Sequence, residues 1–203
     1  MKIPDLSHAN AYLEWAFNCN PGPWTDHSRV VAKAAKRIAK ASGLEPDVAE
    51  VLGLLHDLGR YKGVTSMMHI YDGYLYLMGK GYPDAAQICI THSFPIQNIQ
   101  VYSGANDCSD DVFRELQSIL AASVYTDYDR LIQLCDSIAL PQGVCLLEKR
   151  LLDVALRHGV NDYTVPKWKK LFEIWNHFTQ LSGINLYSLF EEVEQVTFSD
   201  NLT

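Results

Sequence analysis

Along most of the chain apolar residues return every three or four positions, the spacing that lays them on one face of an α-helix. Between Thr25 and Ala41, residues Val30, Val31, Ala34, Ile38 and Ala41 fall in one stripe. Lys33, Lys36, Arg37 and Lys40 take most of the opposite face. Thr25 or Asp26 is placed to cap this helix and Gly43 to end it. Pro46 opens a second helix, since proline is tolerated in a first helical turn, and Gly59 reads as its stop after Leu58. The same spacing predicts helices over about 67–79, 83–92, 110–122, 126–139, 144–158, 165–181 and 185–194. Breaks fall at Gly79–Pro83, Ser103–Ser109 and Pro141–Gly143. No segment alternates with the period of a strand, and no repeat or low-complexity stretch is present. The pattern predicts an all-α, compact helical bundle, with residues 1–203 forming one domain.

Composition narrows the partners. The chain has 203 residues, 48% of them hydrophobic, enough to bury a real core. Its 17 Lys and Arg against 24 Asp and Glu leave a net charge of −7. Such a chain is poorly suited to a nucleic-acid polymer, whose affinity comes from cations displacing counterions, so the basic run at 33–40 reads as a solvated helix face. A small phosphorylated ligand is still compatible, because a metal dication supplies positive field locally. The five cysteines are odd in number and form no Cys-x-x-Cys pair, which predicts free thiols rather than a disulfide framework or zinc knuckle. The N-terminus has no apolar signal core, and no run reaches the ~18 apolar residues of a membrane span. The expectation is a soluble cytoplasmic protein without a membrane partner; the sequence does not specify an oligomeric state.

Candidate chemistry lies in a few polar residues set on apolar helices. His56 and Asp57 end the strongly apolar VAEVLGLLHDLG, and Asp136 sits inside the equally apolar RLIQLCDSIAL. His27 lies near the start of the first long helix, beside its apolar face. A buried carboxylate is costly unless compensated, and a divalent metal compensates a carboxylate and a neutral imidazole together. Each residue alone also has a plain reading as a hydrogen-bonded core residue. Asp129, two turns before Asp136, is either an orienter of a ligand histidine or a surface acid paired with Arg130.

The order DHSRVVAKAAKRIA, LLHDLGR, LCDSIA resembles the HD-domain superfamily of metal-dependent phosphohydrolases, named for its adjacent His-Asp pair. The resemblance covers about residues 26–138, with the helices of 144–194 packed on that core. It implies one metal held by His27, His56, Asp57 and Asp136. Members with two metals place two further histidines between the pair and the last Asp, which here are His69 and His92. The second ion would then share Asp57; alternatively, both rings donate to substrate phosphate. The ligand set suits Fe²⁺, Mn²⁺, Co²⁺, Ni²⁺ or Zn²⁺, one ion or two. Two branches of the family do not fit: Gly81-Tyr82-Pro83 precedes His92 rather than following a His-His-Glu segment, and no Glu-Asp pair follows HDLGRYKGV.

The resemblance implies hydrolysis of a phosphate ester or anhydride of a small metabolite, a nucleotide in particular, with Asp57 and Arg60 as catalytic residues. Arg60 and Lys62 are the candidate substrate-binding cations; each also reads as a solvated cation at a helix end. The alternative function is a catalytically silent HD domain that binds metal or nucleotide as a regulatory module. His8, His158 and His177 fall outside the pattern and read as structural or surface residues. Trp168, Phe172, Trp175 and Phe178 read as core rather than as a base-stacking platform. Without metal, Asp57 reads as an uncompensated buried charge, so Asp57→Asn is expected to leave the metal-free fold as stable or slightly more so.

Overall fold

The computed structural model describes residues 1–199. Its helices are α1 (Leu6–Cys19), α2 (Trp24–Ala41), α3 (Pro46–Leu55), α4 (Met68–Gly79), α5 (Pro83–Thr91), α6 (Asp110–Ala122), α7 (Asp127–Asp136), α8 (Leu147–His158), α9 (Thr164–Ser182) and α10 (Val193–Phe198). Short 3₁₀ turns cover Leu58–Lys62, Ile99–Val101 and Leu186–Leu189. Between α7 and α8, β1 (Ala139–Leu140) pairs antiparallel with β2 (Gly143–Val144) in a minimal hairpin turning at Pro141-Gln142. The fold is all-α, and among the described residues no helix is long and apolar enough to cross a membrane.

One core runs through the bundle, from Ala9, Leu13 and Ala16 of α1, through Val31, Leu52, Leu55 and Leu134, to Leu171 and Phe178 of α9. A smaller cluster joins Phe94 and Ile99 of the 93–110 segment to Ile70, Ile90 and Leu116. At the centre α2 and α3 pack almost backbone to backbone. A Cβ on Gly53 would come within 2.5 Å of the Ala32 Cα, so only glycine permits the approach. This contact brings the start of α2 and the end of α3, and hence His27 and His56, to one end of the bundle.

Several local details differ from the pattern-based expectations. Helix α1 was not anticipated. Helix α2 starts at Trp24 with neither Thr25 nor Asp26 capping it; the Thr25 hydroxyl donates to the Gly22 carbonyl at 3.2 Å instead, and Asp26 is exposed. Gly43 does follow the helix end, where the Leu44 amide closes on the Ala39 carbonyl at 2.9 Å. Helix α3 stops at Leu55, and Gly59 is not its stop but a contact point: a Cβ there would sit 1.9 Å from the His69 carbonyl oxygen and 2.4 Å from the Gly73 nitrogen. The helix expected over 185–194 is instead a 3₁₀ turn and the separate α10, with an extended Phe190 between them (φ −132°, ψ 107°). That break lets Phe190 enter the core, where Arg37 lies over its ring and donates to the Leu189 carbonyl at 2.8 Å.

Candidate metal centre

The site begins where α3 ends. Neighbouring residues of a regular helix point about 100° apart, so His56 and Asp57 could not both face one ion from within it. Asp57 leaves helical geometry (φ −104°, ψ 14°), and this turns its carboxylate to the same side as the His56 ring. Helix α2 adds His27 from its first turn, α4 adds His69, the end of α5 adds His92, and the last residue of α7 is Asp136. The Asp107 carboxylate accepts from the Ser66 and Met68 amides at 2.7 and 2.8 Å and so pins the start of α4, one residue before His69.

All six sequence-nominated donors meet. His27 Nε2 lies 2.9 Å from Asp136 Oδ1, and His56 Nε2 lies 3.9 Å from both Asp136 Oδ1 and Asp57 Oδ2. On the other side of Asp57, His69 Nε2 is 3.0 Å and His92 Nε2 3.6 Å from Oδ1. Two triads therefore share Asp57: His27, His56 and Asp57, and Asp57, His69 and His92, each with its donor atoms within 4.8 Å of one another. Asp136 closes the first.

Ring orientation is set by the backbone. The Nδ1 of His56 faces the Gly53 carbonyl at 2.7 Å, that of His92 faces the Cys89 carbonyl at 2.9 Å, and that of His69 faces the Ser66 carbonyl. A carbonyl only accepts, so each Nδ1 donates to it and the Nε2 of each ring points inward. His56 Nε2 and Asp57 Oδ1 are buried and without a hydrogen-bond partner. Ring nitrogens and carboxylate oxygens thus face one another, an arrangement able to hold a metal ion. The donor set, neutral imidazoles with two carboxylates, is that of a divalent transition metal.

Electrostatics follow from burial. Burial pushes the His56 pKa down and that of His92 to about 3, so both rings are neutral near pH 7. Burial works against the ionised form of Asp57, but the Arg60 guanidinium beside it leads the groups that outweigh burial and hold its pKa well below the usual carboxylate range. At Asp136 burial is likewise outweighed, chiefly by the hydrogen bond from His27. Arg60 is the one nominated cation at the centre: its Nε donates to Asp57 Oδ2 at 2.6 Å, and its side chain is 30% exposed, reaching the cavity. Lys62 is not brought there. Its ammonium pairs with the buried Asp72 at 2.6 Å, and it is not among the residues of the cavity wall. Asp129 neither touches a ligand histidine nor pairs with Arg130. It is buried, accepts from the Thr91 hydroxyl at 2.6 Å and from the Thr126 amide at 2.7 Å, and so ties α7 to the end of α5 beside His92.

Five of the six donors, His27, Asp57, His69, His92 and Asp136, line a cavity of about 930 Å³, while His56 is buried and not part of its wall. Its far wall, absent from the sequence reading, comes from α8 and α9: Arg150, Arg157, His158, Lys167 and Trp168. His158 is exposed, as the sequence suggests, and also lines this cavity. Trp168 packs against the core with one side and lines the cavity with another, while Phe178 is fully buried and Phe172 is exposed. No local pattern marks these cations, which meet only through tertiary packing.

No curated protein and no solved structure matches the chain. The family model of the HD domain matches residues 24–140, from the first residue of α2 to the end of β1, and spans every donor described above. The match covers more than half of the chain and agrees with the all-α bundle and its His-Asp centre; the chain belongs to the HD-domain superfamily of metal-dependent phosphohydrolases.

Proposed function

We propose that this chain hydrolyses a phosphate ester or anhydride of a small metabolite, a nucleotide being the class that best fits the cavity's size and charge. His27, His56, Asp57 and Asp136 would hold one ion, and Asp57, His69 and His92 a second. The observation that carries the reading is the convergence of these donor atoms, with His56 Nε2 and Asp57 Oδ1 buried and unpartnered among them. A bound divalent metal lowers the pKa of its water towards ~7, which makes hydroxide available at neutral pH.

The chain's own residues do the rest. Backbone carbonyls fix the three Nδ1–H tautomers, so the rings need no reorganisation to act as donors. Asp57 holds Arg60 in place, and the guanidinium keeps N–H groups free to meet a phosphate oxygen as its charge grows. Burial opposes the Arg60 charge, but the Asp57 carboxylate outweighs it, so the group stays cationic at any working pH.

The test is reconstitution of the purified protein with Mn²⁺, Fe²⁺, Co²⁺, Ni²⁺ or Zn²⁺, followed by turnover of p-nitrophenyl phosphate, bis-p-nitrophenyl phosphate and a nucleotide panel. The reading expects activity that chelation abolishes and that Asp136→Ala reduces by orders of magnitude. Metal bound without turnover of any ester would favour the silent regulatory module instead.

A further inference from the structure

The C-terminal helices carry positive charge that the metal donors do not need. Lys167, in the first turn of α9, is partly buried, and its Nζ donates to the Ser93 carbonyl at 3.3 Å and the Ser103 hydroxyl at 3.0 Å. Both acceptors are neutral, and among the described residues no carboxylate pairs with it. Beside it on α8, Arg150 and Arg157 share one carboxylate, Asp153, at 2.8 and 3.0 Å. Three cations against one shared acid leave this wall positive, in a chain whose net charge is −7. Charge of that sign, collected inside a cavity and underpaired, calls for an anion. Its position is specific, because Ser93, to which Lys167 is tied, directly follows the donor His92.

We propose that Lys167, with Arg150 and Arg157 beside it, forms a subsite for a second phosphoryl group. The substrate class is then one with linked phosphates, such as a nucleoside di- or triphosphate: one phosphoryl lies at the His/Asp donors and its neighbour against Lys167. The assignment rests on reading the cavity as a phosphohydrolase centre. The subsite lies outside residues 24–140, so it belongs to this chain's C-terminal helices rather than to the matched HD core.

The test is calorimetric titration of the Mn²⁺-reconstituted full chain with methylenediphosphonate, which has two linked phosphonates and resists hydrolysis, and with methylphosphonate, which has one. Lys167→Met should weaken methylenediphosphonate about tenfold or more and leave methylphosphonate within about twofold. Metal content and melting temperature should not move, and Lys167→Arg should restore most of the affinity. Equal weakening of both ligands, or of neither, would overturn the subsite. If Lys167→Met does not fold, Arg157→Gln carries the same comparison from a side chain 42% exposed: selective weakening supports the subsite, and no change overturns it. A chain that turns over no phosphate ester loses the hydrolytic reading, while the binding ratio, which needs no turnover, still decides the subsite.

Discussion

Replacing Asp57 by Asn keeps the side chain's shape and removes one charge from the shared position of both triads. In the metal-free protein the carboxylate is not uncompensated, as the sequence alone suggests, because Arg60 Nε donates to it at 2.6 Å. The Asn oxygen can still accept that bond, so the loss is the charge assistance, about 1–2 kcal/mol. The ~3–5 kcal/mol for orphaning one member of a buried pair is a ceiling, since Arg60 is 30% exposed and can turn towards solvent. Relief of the burial cost of the charge returns part of the loss. The net expectation is about 1 kcal/mol of destabilisation, roughly 2–4 °C for a chain of this length. Arg60 therefore reverses the sign expected from sequence. With metal the effect is larger: a 100-fold weaker site forfeits ~2.7 kcal/mol of ligand stabilisation, or roughly 5–10 °C. Scanning calorimetry of both proteins with and without chelator, together with metal analysis, measures both terms. An Asp57→Asn variant that keeps full metal content and the wild-type thermal shift on metal addition would refute the reasoning.

The second triad is tested by the double variant His69→Ala, His92→Ala, which should halve the metal content if two ions bind; unchanged stoichiometry would assign both rings to phosphate donation. His92, pushed down to about 3 by burial from an ordinary value of ~6.5, binds its proton in the unfolded chain before the folded one. Stability of the metal-free protein should therefore rise with pH between those values, with up to about 2 kcal/mol lost at pH 5 through this ring. Asp57 and Asp136, both depressed, add a loss of the same sign below ~pH 4. Denaturant midpoints of chelated protein at pH 5 and 7.5 check this, and His92→Asn should flatten the difference; equal midpoints in the parent protein contradict it. Gly59→Ala has no room against the α4 backbone and should cost about 1–3 kcal/mol while displacing His69, visible as a lower melting temperature with reduced metal binding. A variant as stable as the parent would show that the 3₁₀ turn can yield there.

The donors were legible because each is a polar residue on an apolar helix, and helical spacing survives in sequence. Their convergence was not: it depends on the Gly53–Ala32 contact and on Asp57 leaving the helix, neither of which has a periodic signature. Helix α1 was missed although Ala9, Leu13 and Ala16 are all fully buried, because two of those three are alanines and the intervening polar and aromatic residues obscure the stripe. The strands of β1 and β2 are two residues each, too short for alternation to register. Lys62 and Arg60 look equivalent in sequence, yet the buried Asp72 draws Lys62 away while Asp57 keeps Arg60 at the centre. Lys167 and Arg150 lie far along the chain from the His-Asp pair, and only the packing of α8 and α9 over the cavity brings them opposite it.

The metal centre itself is tested most directly by anomalous diffraction from crystals of the protein grown with Mn²⁺, recorded near the metal's absorption edge. The account predicts a peak about 2.0–2.2 Å from His27 Nε2, His56 Nε2 and carboxylate oxygens of Asp57 and Asp136. It also allows a second peak against Asp57, His69 and His92, with Arg60 drawn back from Asp57. A map with no peak between these donors, and with Arg60 still seated on Asp57, would contradict it.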